Sequence, residues 1–448
     1  MLEINLKIFK AYDIRGIYPA DINEDVVYKI GRAIVQYLGA KKIAVGRDIR
    51  ESSLALFGAL AKGITEQGAD VYDIGLASTP MVYFASGKLD IDGAISLTAS
   101  HNPAEWNGMK ICRAEAVPIG ENSGLFEIRD LVMAGNFPEA GKKGKIIPKE
   151  EIKNDYIDYF SSFANLGDKK FKVVIDFANA MGILDLDIYK KFPDNIELVT
   201  LYDNFDGKFP NHEANPLKTE TLKDLQEKVR ENNADLGIAY DGDADRVGFI
   251  DENGEIIPMD LITALIAKMI LEKNPGAKIF YDLRSSKSVR EFIEENGGVA
   301  LECPVGHANI KKIMRDEGGA FAGELSGHYY FKENYMAEAS ILAAIMLLNL
   351  MAETGEKISE LVKDVKRYFH SGEINSEVAD KDEVINKLKE KYSDGKISEL
   401  DGVKIEFPDW WLNVRPSNTE PVLRLNLEAN TEELMKEKVN EALKIIRE

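Results

Sequence analysis

The chain is poor in cysteine: its 448 residues include only Cys112 and Cys303. Two thiols cannot build a disulfide framework, and their separation offers no metal knuckle, so reduced thiols are expected. Long apolar runs are also missing. The opening residues MLEINLKIFK lack the apolar core of a signal peptide, and the most apolar stretch, Ile341 to Met351, is bounded by Glu338 and Glu353. That stretch is too short to cross a bilayer and suits a buried helix. Positive charge is in deficit: 56 Lys+Arg against 76 Asp+Glu leave a net charge of −20. A field of that sign repels nucleic acid and acidic membrane surfaces, so neither is the default partner. It also repels phosphorylated metabolites unless a cleft inverts it locally. Together these absences lead to the expectation of a soluble, cytoplasmic protein.

What is present is alternation of short β-branched runs with longer amphipathic stretches, the α/β signature. Lys42 to Gly46 reads as a strand, Ser52 to Gln67 as a helix, and Val71 to Ile74 and Gly93 to Leu97 as strands. The Gly-, Pro- and Lys-rich stretch Ala134 to Lys149 reads as a linker. A second cycle has strands at Val173 to Asp176, Leu198 to Leu201 and Leu236 to Ala239, then a hairpin from Gly248 to Ile257. A third runs from the helix Asp260 to Glu272 through to the apolar helix. Beyond about residue 365 a smaller α+β tail ends in a helix for which Thr431 is a plausible N-cap. Length alone suggests about three domains. The pattern divides instead into four: 1–150, 151–256, 257–366 and 367–448, three similar α/β units with mixed sheets between helices plus the tail, set around a central cleft.

Four places carry chemistry. Thr98-Ala99-Ser100-His101-Asn102-Pro103 follows a strand directly, where open α/β sheets bind ligands. Neighbouring side chains usually point apart, so on residue types alone Ser100 reads as a turn or cap serine and His101 need not be its base. Asp241, Asp243 and Asp245 alternate; in an extended segment that spacing puts three carboxylates on one side, where they repel unless a cation neutralises them. Hard oxygen ligands favour magnesium or calcium. An EF-hand would place Glu252 twelfth, but its sixth place holds Arg246 rather than glycine, and the flanks read as strand and hairpin. Gly323-Glu324-Leu325-Ser326-Gly327-His328 could grip vicinal sugar hydroxyls, and Arg415-Pro416-Ser417-Asn418-Thr419-Glu420-Pro421 could cradle a phosphate. Each of these motifs also reads as a capped polar turn.

In this order, one motif per unit, the set resembles the α-D-phosphohexomutase superfamily over essentially the whole chain. Phe9-Lys10-Ala11-Tyr12-Asp13-Ile14-Arg15-Gly16 is similar to that family's opening motif, as are Asn107-Gly108-Met109-Lys110 and Asp206-Gly207-Lys208-Phe209-Pro210-Asn211-His212 to later ones. The resemblance implies that Ser100 is a phosphoserine, and that Asp241, Asp243 and Asp245 hold Mg²⁺ with one of its oxygens. It implies Glu324 and Ser326 on sugar hydroxyls, and Arg415, Ser417, Asn418 and Thr419 on the phosphate that is not reacting. Arg15, Lys110, Arg246 and His101 would line the transfer site. Tyr12, Arg284, His307, His328 and Arg424 would also meet substrate. GELSGH resembles the GEMSGH loop of the phosphomannomutase/phosphoglucomutase branch, and Leu325 stands where the glucosamine branch usually has glutamine. There are departures: Ala244 replaces a common glycine, Trp106 a frequent tyrosine, and Arg284 a lysine of some relatives.

The implied reaction moves phosphate between carbons 1 and 6 of a hexose through a bisphosphate. Hexose phosphates and hexose 1,6-bisphosphate are then the partners, and the protein is expected to be a monomer or homodimer. Lys110 is a candidate base if neighbouring cations depress its pKa, with His101 the alternative. Competing expectations are a phosphoglucosamine mutase, a Mg²⁺-dependent phosphatase, and a silent sugar-phosphate-binding protein. The net charge then predicts an acidic exterior around a cleft where Arg15, Lys110, Arg246 and Arg415 reverse the sign.

Overall fold

The computed structural model describes residues 5–416 and 422–448. The first sheet orders its strands Ile14–Ile17, Trp106–Arg113, Gly93–Leu97, Lys42–Arg47, Asp70–Leu76 and Ile146–Pro148. The last four are parallel; Trp106–Arg113 runs against Gly93–Leu97, and Ile14–Ile17 runs against Trp106–Arg113. In the second sheet Ile196–Leu201, Phe171–Asp176 and Leu236–Tyr240 are parallel, and Val247–Ile250 and Ile256–Ile257 return antiparallel. The third repeats this with Val299–Cys303, Lys278–Asp282 and Phe321–Gly323, then Tyr329–Phe331 and Ala337–Glu338. The tail sheet is antiparallel, with Val422–Ala429 pairing Phe369–His370, Ile374–Glu377 and Trp410–Pro416. Three α/β units with mixed sheets and a smaller α+β tail are therefore present, as the patterning predicts.

One device recurs in the first three units. A buried parallel strand ends, a short loop follows, and an antiparallel strand leads back. The loops are 98–105, 241–246 and 324–328, so the sequence motifs occupy equivalent turns at the carboxyl ends of strands, where backbone groups lie open to a ligand.

Two site-bearing elements escaped the periodic signals. The helix Thr79–Lys88 is buried around most of its circumference, so it shows no polar face for a 3.6-residue pattern to reveal. Its start is nonetheless conventional: Ser78 accepts from the Met81 N–H at 3.3 Å and Pro80 lies in the first turn. The strand Trp106–Arg113 is buried on both faces and does not alternate. The expected linker Ala134–Lys149 also contains structure, since Ile146–Pro148 adds an edge strand to the first sheet. Thr431 caps the final helix by accepting from Leu434 N–H at 3.2 Å, as expected.

The main apolar core runs through the second and third units and takes in Met81 and Phe84 from the helix Thr79–Lys88, beside Tyr156, Phe160 and the buried helix Ser340–Thr354. The helix Thr79–Lys88 thereby fastens the first unit to the next two. The tail has its own core of Val403, Leu412, Leu425 and Ile446. It meets the third unit through polar contacts such as Lys404 on Glu302 and Lys287 N–H on Glu428. Among the described residues no helix is long and apolar enough to cross a membrane.

Inside the second unit Asp185 is buried and accepts from the Tyr156 hydroxyl at 3.2 Å. Burial pushes its carboxyl up to about 8, against the hydrogen bonds from Tyr156 and Tyr240. In the unfolded chain an aspartate titrates near 3.9. Between the two values the folded state keeps a proton that the unfolded chain has lost, so stability falls as pH rises from about 4 to about 8 and then levels. Asp185→Asn should flatten that slope, by up to about 1.4 kcal/mol per pH unit. Thermal scans from pH 5 to 8 check it: the variant's advantage should be largest at pH 8 and shrink toward pH 5.

Candidate active site

The loop after Gly93–Leu97 places Ser100 at φ 51, in the left-handed region. That conformation is costly for a residue with a side chain. Here it folds neighbouring side chains together, against the expectation that they point apart. Ser100 Oγ lies 3.2 Å from His101 Nδ1 and donates to Asp241 Oδ2 at 2.9 Å. The Ser100 N–H is satisfied by Thr98 Oγ1 at 3.0 Å. His101 is held well below the usual imidazole range, first by burial and then by the Arg246 and Arg15 cations.

The three aspartates are fully buried, and an oxygen from each lies within 4.8 Å of the others. They converge through a tight turn, not through the extended alternation expected from their spacing. Ala244 N–H bonds the Asp241 carbonyl at 3.1 Å, and Ala244 itself adopts φ 59. Ala244 thus takes a left-handed conformation that glycine would adopt without steric cost. Gly242 is constrained differently, because a Cβ there would run into the Ser100 carbonyl. Asp241 is raised well above the carboxylate range, by burial and then by Asp243 and Asp245. Asp245 is lowered well below it, since Lys110 and His328 outweigh its burial. Asp243 Oδ1 is buried without a hydrogen-bond partner, and Asp245 Oδ1 has only His328 Nε2 at 3.4 Å. An all-oxygen set with an unsatisfied buried oxygen fits a hard divalent cation. A second cluster, Asp245, His328 and Glu338, is already engaged: Lys311 bonds Glu338 at 2.9 Å, and Arg246 Nε meets His328 Nε2 at 3.1 Å.

Lys110, delivered by the buried strand Trp106–Arg113, donates to Asp243 at 2.8 Å and to Asp245. Burial opposes its charge, but Asp243 and Asp245 overcome that and hold the ammonium above the ordinary lysine range. The expectation that neighbouring cations would depress it is corrected by these carboxylates. Arg15 is fixed by Asp13 at 2.8 Å and Asn102 Oδ1 at 2.5 Å. Arg246 bridges to His328 by a short backbone pairing, joining the second and third units.

In the loop 324–328, Glu324 accepts from Ser326 Oγ at 2.5 Å, lies 2.7 Å from His328 Nδ1, and accepts the Gly306 N–H at 3.1 Å. Despite burial, Asp245 and Glu324 lift His328 to about 9, while His328 and Arg284 bring buried Glu324 down to about 2. His307 packs edge-on against Tyr12, centroids 5.6 Å apart, and both its ring nitrogens lack a hydrogen-bond partner. Glu373, which no motif singled out, gathers three guanidiniums: Arg415 and Arg424 at 3.1 Å and Arg284 at 3.4 Å. Arg284 is also clamped by Asp282 at 2.7 Å. Ser417, Asn418 and Thr419 lie outside the described residues.

Arg15, Lys110, Arg284, Arg415 and Arg424 therefore arrive paired with carboxylates, so the charge there is largely balanced at short range rather than simply inverted, while Arg246 lies against His328 instead. Sequence reasoning missed three participants. Thr79 donates to Asp243 Oδ2 at 2.6 Å, and its only signal was the Ser-Thr-Pro cap. Arg50 holds the serine loop from behind. Neither Arg50 nor Glu373 belongs to a recognisable motif.

The fold agrees with that of known proteins. Models of the phosphoglucomutase/phosphomannomutase family match by alpha/beta/alpha domain I at residues 6–138, domain II at 154–254, domain III at 258–368, and the C-terminal domain at 373–445. A phosphomannomutase of Methanocaldococcus jannaschii is 43% identical over 99% of this chain and 98% of its own length. One from Escherichia coli K12 is 38% identical over 95% of each. The crystal structure of a phosphoglucomutase/phosphomannomutase family protein from Burkholderia thailandensis superposes with a TM-score of 0.90 at 32% identity, covering 99% of this chain and 98% of that one. With four family domains in order and full-length relatives at this identity, the chain belongs to the phosphoglucomutase/phosphomannomutase family and is a phosphohexomutase.

Proposed function

We propose that this phosphohexomutase interconverts the 1- and 6-phosphates of mannose or glucose through a phosphoserine at Ser100 and a hexose 1,6-bisphosphate. The observation that carries this is the contact of Ser100 Oγ with Asp241 at 2.9 Å and His101 at 3.2 Å. A serine there can carry a phosphoryl group against the carboxylate triad, with Arg15 and Arg246 nearby to meet its oxygens. The sugar preference rests on Leu325 and on relatives named as phosphomannomutases. The glucosamine alternative is not favoured.

In the first half-reaction a free sugar hydroxyl attacks the phosphorus on Ser100; a new P–O bond forms as the bond to Oγ breaks, giving the bisphosphate. After the sugar turns over, Ser100 Oγ attacks the other phosphate and recovers a phosphoryl group. In each half-reaction one proton passes from the attacking oxygen to the leaving oxygen, from the sugar hydroxyl to Ser100 Oγ in the first and from the serine hydroxyl to the departing sugar oxygen in the return, with uncharged His101 Nδ1 beside Oγ as the relay. Lys110 acts as a cation. Glu324 and Ser326 orient the hydroxyls, and Arg415, with Ser417, Asn418, Thr419 and Arg424, holds the phosphate that is not reacting. A Mg²⁺ held by Asp241, Asp243, Asp245 and an oxygen on Ser100 would supply positive charge opposite the transferring group. The polar seam of the tail suits it to close over the sugar and exclude water.

Intact-mass measurement of wild-type protein incubated with hexose 1,6-bisphosphate should show a species one phosphate heavier that is absent from Ser100→Ala. Turnover of that variant should fall by about 10³-fold or more. A coupled assay on mannose, glucose and glucosamine 1-phosphates should give the lowest kcat/KM for the amino sugar, by about tenfold or more. Lys110→Met removes the cation from two buried carboxylates, a loss of about 3–5 kcal/mol. Metal-free, this variant should melt several degrees below wild type, and Mg²⁺ should restore more stability to it than to wild type, because the ion binds only the folded state. Equal Mg²⁺ shifts in the two proteins would place the ion elsewhere.

A further inference from the structure

Arg50 lies outside every motif, yet its side chain is fully buried. All five of its N–H groups are used. Nη2 donates to the carbonyls of Ser100 and Asn102 at 2.7 Å each, Nη1 to those of Pro103 at 2.5 Å and Trp106 at 2.9 Å, and Nε to Asp48 at 3.1 Å. One rigid fork thus gathers three carbonyls of the serine loop and that of Trp106, the first residue of the following strand. Asp48 is fixed in turn, bonding the Leu97 carbonyl through its N–H at 3.0 Å and accepting from Ser53 Oγ at 2.5 Å.

The opposite face of the guanidinium is closed by another unit. The Phe209 ring lies over it at 5.1 Å. Phe209 belongs to Asp206-Gly207-Lys208-Phe209-Pro210-Asn211-His212, a motif to which the proposed reaction assigns no role. That loop is rooted in the second unit: His212 Nε2 lies 2.9 Å from Asp176 Oδ2, and Asn211 donates to Asn179 at 2.7 Å. Gly207 lets it approach, since a Cβ there would meet the Ile49 carbonyl and the Arg50 backbone. The Ser100 carbonyl is therefore caught between Arg50, held by Phe209 of the second unit, and Gly242 of the aspartate loop in that same unit.

We propose that Arg50 is a positioning residue for phosphoryl transfer, and that Phe209 locks it so that this clasp sets where Ser100 Oγ stands against the aspartate loop. The inference rests on Ser100 being the phosphoryl carrier. Its ion pair with Asp48 is internal, so its contribution is geometric: it stabilises a left-handed serine turn that would otherwise relax.

The test follows transfer of labelled phosphate from hexose 1,6-bisphosphate to the protein, alongside steady-state kinetics with hexose 1-phosphate. Arg50→Lys keeps the charge and loses the fork. Its labelling rate constant and kcat should fall by about 10²-fold, with KM within about threefold of wild type because the sugar-binding residues lie elsewhere. Phe209→Leu should fall by about tenfold, and Phe209→Tyr, which keeps the ring, should recover most of that. Labelling of Arg50→Lys within twofold of wild type overturns the proposal, as does a smaller labelled fraction at an unchanged rate constant. Should Arg50→Lys not fold, the Phe209 pair decides on the same criteria, equal rates for the leucine and tyrosine variants overturning it. Wild-type protein that takes no label overturns the phosphoserine reading itself, and this inference with it.

Discussion

Three carboxylates buried on one six-residue loop are the constraint around which the rest of the site is arranged. Asp241, Asp243 and Asp245 have no exposed surface, and at such separations their mutual repulsion is large in a medium that screens poorly. The chain answers with an ammonium from the first unit, Lys110, and an imidazole from the third, His328. It adds the Thr79 hydroxyl from a helix that is itself part of the shared core. Neutralising one loop therefore requires three units to be docked, and the same contacts bring Ser100 to Asp241. A hard cation held by this loop and the assembly of the domains would draw on one set of charges.

The repeated strand–loop–strand reversal explains how unrelated chemistries share one cleft. Each of the first three units ends a parallel strand and turns back, so loop backbone and side chains project from the same kind of sheet edge. What differs is the residue placed in the turn. Left-handed conformations at Ser100 and Ala244 compress two of these loops and bring side chains together that an extended strand would have separated. The tail contributes differently, through the antiparallel strands bearing Arg415 and Arg424, both held by Glu373.

The net charge of −20 is reconciled with an anionic substrate by pairing. Arg15 lies on Asp13, Lys110 on two aspartates, and Arg284, Arg415 and Arg424 on Glu373. Such pairs hold cationic side chains in fixed rotamers, which would lower the reorganisation needed for phosphate oxygens to compete for them.

Much of this was legible in the chain. Strand–helix alternation identified three α/β units and a tail, because half-buried elements carry their period openly. The serine, aspartate, sugar and arginine motifs were visible because turns demand particular residues at fixed offsets. The helix Thr79–Lys88 and the strand Trp106–Arg113 were not, since elements covered on most sides leave no polar face to read. Arg50, Thr79 and Glu373 were invisible for another reason: their partners lie in distant segments, so no local spacing marks them. Sequence alone determined which chemical groups the chain owns and the order of its domains. Only the tertiary structure decided that Lys110 is held as a cation, that His101 touches Ser100, and that the carboxylates meet in a turn, because burial and long-range pairing set charge and distance once the units have docked.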